Sequence, residues 1–144
     1  MIEPVAIIAN QYPKVVIPLL DSARESIDAI VFDWRFYVTQ PSHPVSLFNL
    51  AIARAAKRGV KVRALVNNDA VLENLRRLGC EARRLHSKKL LHTKMLVVDG
   101  QKIVLGSHNF TQNAFALNEE ASALFEMPTV DNSFKRYFDN LWGV

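Results

Sequence analysis

The chain has 144 residues, of which 49% are hydrophobic and 22% charged, and its net charge is +4; this composition suits a single domain over residues 1–144 and excludes a disordered chain. Five glycines, six prolines and one cysteine exclude a collagen-like chain, an intrachain disulfide framework and a CxxC zinc module. Because the sequence shows neither an apolar run of roughly 20 residues nor a basic secretory leader, we expect a cytoplasmic protein without a membrane span.

The first half of the chain predicts strands that alternate with helices. Short apolar runs predict the strands, and apolar residues at helical spacing predict the helices. In chain order the elements are a strand at 5–9, a helix at 13–27, a strand at 29–37, a helix at 45–57, a strand at 61–66 and a helix at 69–78. Strands that are separated by helices favour parallel pairing.

The second half predicts a hairpin and a terminal amphipathic helix. Its elements are a strand at 80–85, two strands at 90–98 and 103–107 around an Asp99-Gly100 turn, a strand at 120–125 and a helix at 130–142. The apolar residues of the last helix are expected to pack in the core or in a dimer interface. We therefore predict an α/β fold, with a mixed, largely parallel β-sheet and helices on both of its faces.

Basic residues are concentrated in the middle of the chain. Residues 54–102 contain 13 Lys or Arg and four acidic residues, whereas the rest of the chain is acidic overall. This distribution indicates a polyanionic partner, such as nucleic acid or an anionic lipid surface.

Two pairs of polar residues on the predicted hairpin form a candidate site. His92 and Lys94 project from the same face of one strand, because side chains alternate along a strand. A two-residue turn within Asp99-Gly100-Gln101 places Ser107 and Asn109 on this same face. The predicted turn thus gathers an imidazole, an ammonium, a hydroxyl and an amide into one patch.

The register of the hairpin decides whether this patch forms by strand pairing. A two-residue turn at 99–100 places His92 opposite Ser107, and one at 100–101 places it opposite Asn109. A three-residue loop would instead place His92 opposite His108. We expect one of the two-residue turns.

Such a patch suits a phosphodiester. The neutral imidazole of His92 can attack phosphorus without charge repulsion, and Lys94 can hold the non-bridging oxygens. Ser107 and Asn109 can donate further hydrogen bonds. One imidazole cannot be both the nucleophile and the proton donor to the leaving oxygen, but a twofold homodimer would supply a second copy by symmetry.

The spacing His92-x-Lys94-x4-Asp99-x6-Gly106-Ser107-x-Asn109 resembles, without a gap, the HxKx4Dx6GSxN signature of the phospholipase D superfamily. With one motif in a short chain, the protein is most similar to the small dimeric endonucleases of that superfamily. The resemblance implies a phospholipase D/nuclease-like sandwich fold. It also implies phosphodiester cleavage through a phosphohistidine, without a metal ion or other cofactor.

The resemblance further implies residue roles. His92 of one subunit attacks phosphorus while the partner subunit's His92 protonates the leaving oxygen. Lys94 and Asn109 bind the phosphate, and Ser107 supports it. The superfamily commonly has an acid about 28 residues after the histidine that hydrogen-bonds a catalytic imidazole, and Glu120 matches this position. Asp99 belongs to the signature and is a candidate catalytic residue, but its place in a turn suggests, as the alternative to direct chemistry, that it fixes the loop.

Five other residues are candidate substrate contacts. Arg83, Arg84, Lys88 and Lys89 precede the motif and could bind backbone phosphates in a groove, with ordinary solvated side chains as the alternative. Trp34 could stack on a base, with a core aromatic as the alternative.

These observations lead to three hypotheses for function. The first is a metal-independent endonuclease that cleaves DNA or RNA as a homodimer. The second is a phospholipid-hydrolysing enzyme of the same superfamily. The third is a nucleic-acid-binding module whose site is weak or silent.

Overall fold

A computed structural model describes residues 3–143, in which a mixed sheet carries helices on both faces. The strands of this part of the chain are β1 (Val5–Ile8), β2 (Ser26–Ile30), β3 (Lys61–Val66), β4 (Glu81–Arg84), β5 (Met95–Val98), β6 (Lys102–Gly106) and β7 (Ala121–Glu126). Its α-helices are α1 (Tyr12–Asp21), α2 (Pro44–Lys57), α3 (Leu72–Arg77) and α4 (Ser133–Trp142). A short 3₁₀ turn at Ala9–Gln11 and a π-helical turn at Asn113–Leu117 are also present.

The strands lie in the order β1-β7-β6-β5-β2-β3-β4. β2, β3 and β4 pair in parallel, and the other neighbours pair antiparallel. The mixed sheet with helices on both faces is confirmed, but the expectation of largely parallel pairing is wrong. Parallel neighbours need a crossover of a dozen or more residues, whereas β5 and β6 are joined by a short turn and β5 lies antiparallel to β2.

The first helix is shorter than predicted. The helix expected at 13–27 ends at Asp21. Beyond it, the backbone N–H groups of residues 24–26 donate to the Asp99 carboxylate. This long-range contact replaces helical hydrogen bonds and explains why the sequence pattern overestimates the helix.

Two strands are also shorter than predicted, and they end together. The strand expected at 29–37 ends at Ile30, and the strand expected at 90–98 begins at Met95. Ile30 and Met95 are register partners. Pairing of β2 with β5 therefore stops at one position, and the residues beyond it form loops.

The two faces of the sheet pack against different helices. α1, α2 and α3 cover one face, where Val16, Phe48 and Leu75 are buried. α4 covers the other face with Phe138 and Trp142. No helix within residues 3–143 has the length and apolar character needed to cross a membrane.

One end of the sheet carries the loops of the sequence motif. We call it the motif end and define it by Ile30, Met95, Gly106 and Ala121. β2 and β6 finish there, whereas β5 and β7 begin there because they run antiparallel to these neighbours. The loops after β2 and β6 therefore meet the segments that precede β5 and β7.

Candidate active site

The β5–β6 turn has one residue more than predicted. Three residues, 99–101, connect the strands, because Val98 pairs with Lys102. The first two have φ of 53° and 72°, as a two-residue type I′ turn requires. Gln101 is the additional residue, and its carbonyl accepts from the Met127 N–H. The expected two-residue register is wrong because this residue shifts the pairing by one position.

The chain after β6 nevertheless approaches the histidine segment. The β5–β6 ladder ends at Met95 and Leu105, before it reaches His92. The chain then crosses to the loop that follows β2, where the Phe110 N–H donates to the Asp33 carbonyl at 3.0 Å. The loop after β6 runs across to the loop after β2, and this contact between loops, not the pairing of β5 with β6, assembles the site.

Asn109 lies beside the end of β2 as a result. Its side-chain Oδ1 accepts from the Asp33 N–H at 3.0 Å. A backbone N–H needs an acceptor, so this contact fixes the orientation of the amide group. The NH₂ group of Asn109 can then donate to a ligand.

His92 and Lys94 contact each other directly before β5. The Lys94 ammonium donates to the His92 carbonyl at 2.9 Å and lies 3.1 and 3.3 Å from the two ring nitrogens. The Phe32 ring lies 5.1 Å from the imidazole and 5.7 Å from the ammonium. Partial burial lowers the pKa of Lys94, and the negative charge of Glu120 opposes this effect. The exposed imidazole and the ammonium can together engage an anion.

Glu120 is oriented by two side chains at the motif end. The Ser107 hydroxyl donates to one carboxylate oxygen at 2.5 Å, and the Asn118 amide donates to the other at 3.0 Å. Ser107 Oγ also accepts from the Ala121 N–H. Because a serine hydroxyl has one proton, Ser107 cannot donate to a ligand while it donates to Glu120. Each oxygen keeps a further acceptor site, and the hydrogen bond from a catalytic imidazole to Glu120 stays a prediction.

Gly106 and His108 fix the start of β7 against β6. A Cβ at Gly106 would lie 2.3 Å from Ser122 Oγ and 2.4 Å from the Ala121 carbonyl, so only glycine fits. His108 is buried, with Nε2 donating to the Ala9 carbonyl at 2.8 Å and Nδ1 2.7 Å from Ser122 Oγ. Burial lowers the pKa of His108. Its neutral imidazole therefore has a packing role behind the site.

The remaining histidines lie outside this cluster. His43 caps α2, where its Nδ1 accepts from the Val45 N–H. His86 borders a separate cleft beside Asp69 and Arg76. Within residues 3–143, the side chains of His, Cys, Asp and Glu form no group of three that could hold a metal ion.

Asp99 lies at the other end of β5, away from the motif end. Its carboxylate accepts from the backbone N–H groups of residues 24–26 at distances between 2.7 and 3.2 Å. The structure therefore separates Asp99 from the polar cluster. The residue anchors the β5–β6 turn to the start of β2, in keeping with its position in a turn.

The exchange of Asp99 for alanine is expected to cost stability and not turnover. Asp99→Ala removes a charged acceptor of three N–H groups and places a Cβ-bearing residue with no local hydrogen bond at a φ of 53°. We expect a loss of about 2 kcal/mol in urea denaturation, with kcat unchanged. Asp99→Asn should lose less, since asparagine tolerates this conformation. A fall in kcat without a loss of stability would contradict this role.

Three of the predicted basic contacts border one cleft near the motif. Arg84, Lys88 and Lys89 line a cleft of about 280 Å³ that extends to Leu91. Arg84 also forms an exposed ion pair with Asp69 at 3.4 Å. The lining residue Leu91 directly precedes His92 in the chain.

Two other predicted contacts bond to groups of the protein itself. Arg83 donates to the Trp142 carbonyl at 2.8 Å, and its guanidinium lies 4.2 Å from the centre of the indole ring. Trp34 is only 3% exposed and donates to Asn49 Oδ1 at 2.7 Å. Trp34 is therefore a core aromatic, as the alternative prediction had it, and its ring is not available to stack on a base.

Phe32 and Asp33 line the site without having been singled out in the sequence. The ring of Phe32 contacts both His92 and Lys94, and the backbone of Asp33 holds Asn109. Their position was the available signal, because residues that follow a strand often border a site. The aromatic-rich run around them reads instead as a continuous strand.

The family model described as "Cardiolipin synthase, PLD-like domain" matches residues 16–142. Among curated proteins, the mitochondrial cardiolipin hydrolase of Danio rerio is 30% identical over 132 residues, which is 84% of this chain and 52% of that protein. The chain spans about half the length of the curated relatives that it matches.

Solved structures with the same fold cover nearly the whole chain. Nuc from Salmonella typhimurium, a phospholipase D family member, has a TM-score of 0.79 and 23% identity, over 98% of this chain and 95% of its own. NucT from Helicobacter pylori has a TM-score of 0.77 and 18% identity, over 98% and 96%. These matches confirm the fold that the sequence resemblance implied.

Proposed function

The chain belongs to the phospholipase D superfamily, and from this premise we propose that it is a phosphodiesterase that cleaves nucleic acid as a homodimer. The observation that carries the proposal is the contact between the exposed His92 imidazole and the Lys94 ammonium. Both groups lie against Phe32, and the next residue, Asp33, holds the Asn109 amide. This combination provides a nucleophile and two kinds of hydrogen-bond donor for phosphate, an ammonium and an amide, at one end of the sheet.

In the proposed first step, a ring nitrogen of His92 attacks phosphorus. A P–N bond forms and the P–O bond to the leaving group breaks. The partner subunit's His92, in its protonated form, gives its proton to the departing oxygen. Lys94 and Asn109 stabilise the charge on the non-bridging oxygens. Ser107 acts indirectly, through Glu120, because its proton is already donated there.

In the proposed second step, water replaces the histidine. The partner subunit's His92, now neutral, accepts a proton from water, and the water oxygen attacks phosphorus. The P–N bond breaks, and a phosphate monoester leaves. The homodimer is part of the proposal because the cluster of one chain contains a single imidazole among the described residues. A twofold axis would bring the second imidazole to the same phosphate.

The basic cleft supports a polynucleotide as the substrate. Arg84, Lys88 and Lys89 can bind phosphates that neighbour the scissile one, and a substrate with one phosphodiester has no such neighbours. Polynucleotides therefore use more of this surface than a small phosphodiester does.

Replacement of Lys88 and Lys89 by alanine tests this use of the cleft. We expect kcat/KM for an oligonucleotide to fall about tenfold at low salt, and the slope of log binding constant against log salt to become shallower by about 1 to 2. Cleavage of bis(p-nitrophenyl) phosphate should remain, since it has one phosphate. The control is Lys57→Ala with Lys61→Ala, at the opposite end of β3 from Val66. Equal losses for both substrates would contradict phosphate binding in the cleft.

A lipid substrate is the second candidate. Two large apolar side chains near the motif, Leu90 and Leu117, are each 69% exposed. Several curated relatives are named as mitochondrial cardiolipin hydrolases. An exposed apolar residue next to Lys88 and Lys89 could also contact an anionic lipid surface.

One assay separates these functions. Labelled single- and double-stranded DNA and RNA are incubated with the protein in excess EDTA, beside vesicles that contain cardiolipin. We expect cleavage of nucleic acid that persists in EDTA. Hydrolysis of lipid alone would support the second candidate. Salt-dependent binding of nucleic acid without cleavage would overturn the proposed activity and favour a binding module.

A further inference from the structure

The segment that carries His92 has little backbone support of its own. β5 begins at Met95, so His92 and Lys94 lie outside the strand. The Gly106 N–H donates to the Lys94 carbonyl, but at a long 3.4 Å. Leu91, one residue before the histidine, is buried against the α4 face of the sheet. Side chains must therefore contribute to the position of the imidazole.

Thr93 connects this segment to α4. Its Oγ1 lies 2.7 Å from the Tyr137 hydroxyl, a hydrogen-bond distance. Thr93 thus reaches the α4 face, where its neighbours Leu91 and Met95 are buried, whereas His92 and Lys94 contact Phe32. The next residue of the helix, Phe138, is fully buried in the core of that face. The Tyr137 hydroxyl is therefore attached to a well-packed part of the molecule.

Ion pairs fix the same part of α4 to the sheet. Asp139 accepts from Arg63 of β3 at 2.7 Å and from Lys135 at 2.9 Å. Arg63 also binds the buried Asp28 of β2 at 2.7 Å. Tyr137 thus lies between Asp139, which is bonded to β3, and Lys135, whose ammonium lies 3.6 Å from Asp28 of β2. A hydroxyl held in this way can restrict a neighbouring loop.

We propose that Tyr137 is a positioning residue that sets the placement of the His92 imidazole through its hydrogen bond to Thr93. The kinetic consequence rests on the proposed function. In-line attack on phosphorus requires the nucleophile within a few tenths of an ångström of its productive place, and misplacement by about 1 Å can cost up to about 100-fold in rate. Loss of the tether should lower kcat while substrate binding, which uses other groups, persists.

The kinetic test removes the two hydroxyl groups separately and together. Tyr137→Phe and Thr93→Val each delete one partner and keep the size of the side chain. We expect each variant to lose about tenfold in kcat, with KM and the melting temperature unchanged. The double variant should lose no more than either single variant, because both changes break one bond. Unchanged kcat, or losses that multiply, would overturn the proposal.

A matched control and a second readout separate positioning from folding and from the proposed function. Thr129→Val removes a hydroxyl whose bond, within residues 3–143, is to the Asp131 carbonyl in the loop before α4, and it should leave kcat unchanged. Hydrogen exchange followed by mass spectrometry should be faster in residues 91–94 of Tyr137→Phe and unchanged in α4. If the native protein cleaves no phosphodiester, the proposed function fails, and the exchange of 91–94 still decides the role of Tyr137. Unchanged exchange there would overturn it.

Discussion

Replacement of His92 by asparagine is expected to abolish phosphodiester cleavage. Asparagine keeps a polar side chain at this exposed position, but it supplies no nucleophilic ring nitrogen. In the proposed homodimer the change removes both the nucleophile and the proton donor, because the same residue serves each role once. Loss of the nucleophile in a covalent mechanism typically costs about 10⁴-fold or more in kcat. Steady-state kinetics on a labelled oligonucleotide in EDTA measures this loss.

The control for this variant is a second histidine with a known structural task. His43→Asn keeps a residue type that caps helices well, because its side-chain oxygen can replace Nδ1 as acceptor of the Val45 N–H. It should retain full activity. His92→Asn itself should unfold like the native protein, since the imidazole is exposed. A His92 variant that cleaves at the native rate would remove the basis of the mechanism.

Replacement of Asp28 by asparagine is expected to give the largest loss of stability. Asp28 is fully buried, with Oδ1 bound to Arg63 at 2.7 Å and Oδ2 at 3.6 Å from the Lys135 ammonium. That second distance allows charge compensation but no hydrogen bond. Without the Asp28 carboxylate, Arg63 and Lys135 must share the single charge of Asp139. The breaking of a buried pair typically costs about 3–5 kcal/mol, which urea denaturation measures.

A charge-balanced double variant is the control for this loss. Asp28→Leu combined with Arg63→Met removes both members of the buried pair and leaves Lys135 bound to Asp139. It should recover most of the loss, because apolar replacement of a buried pair is often neutral. A double variant as unstable as Asp28→Asn would show that the pair is not the source of the effect.

The ion pairs of Asp139 predict how the stability of the protein changes as the pH falls. Burial alone would raise the pKa of Asp139, but its hydrogen bonds to Lys135 and Arg63 outweigh burial and lower it. A lowered carboxyl pKa contributes stability above the ordinary value near 3.8, and this contribution is lost as the pH falls through the folded-state value. The helix that bears Tyr137 should therefore loosen in acid and not near neutrality.

The spacing of the motif predicted that His92, Lys94 and Asn109 belong to one end of the sheet, but not the route by which the chain brings them there. Their roles in catalysis stay predictions. Thr93 contacts α4 while His92 and Lys94 contact Phe32, as the alternation predicted, although these residues precede β5 and are not part of a strand. The route by which Asn109 arrives was not predictable in this way. It depends on the extra turn residue Gln101, whose carbonyl accepts from the N–H of Met127, the residue after β7.

Residues whose role depends on distant contacts could not be assigned from local patterns. Trp34 sits in an aromatic run that suits either a site or a core, and its bond to Asn49 of α2 decides for the core. Tyr137 belongs to an apolar helical stripe, so its sequence position indicates packing alone. Its hydroxyl has a hydrogen-bond partner in the His92 segment because the fold brings Thr93 beside it.

The stereochemistry of cleavage tests the central claim, that His92 forms a bond to phosphorus. The substrate is an oligonucleotide with a chiral phosphorothioate at the scissile position, cleaved in ¹⁸O-labelled water, and the configuration of the thiophosphate product is determined. Each in-line displacement at phosphorus inverts its configuration. Attack by His92 followed by attack of water therefore predicts overall retention, whereas overall inversion would show that water attacks directly and would contradict the phosphohistidine mechanism.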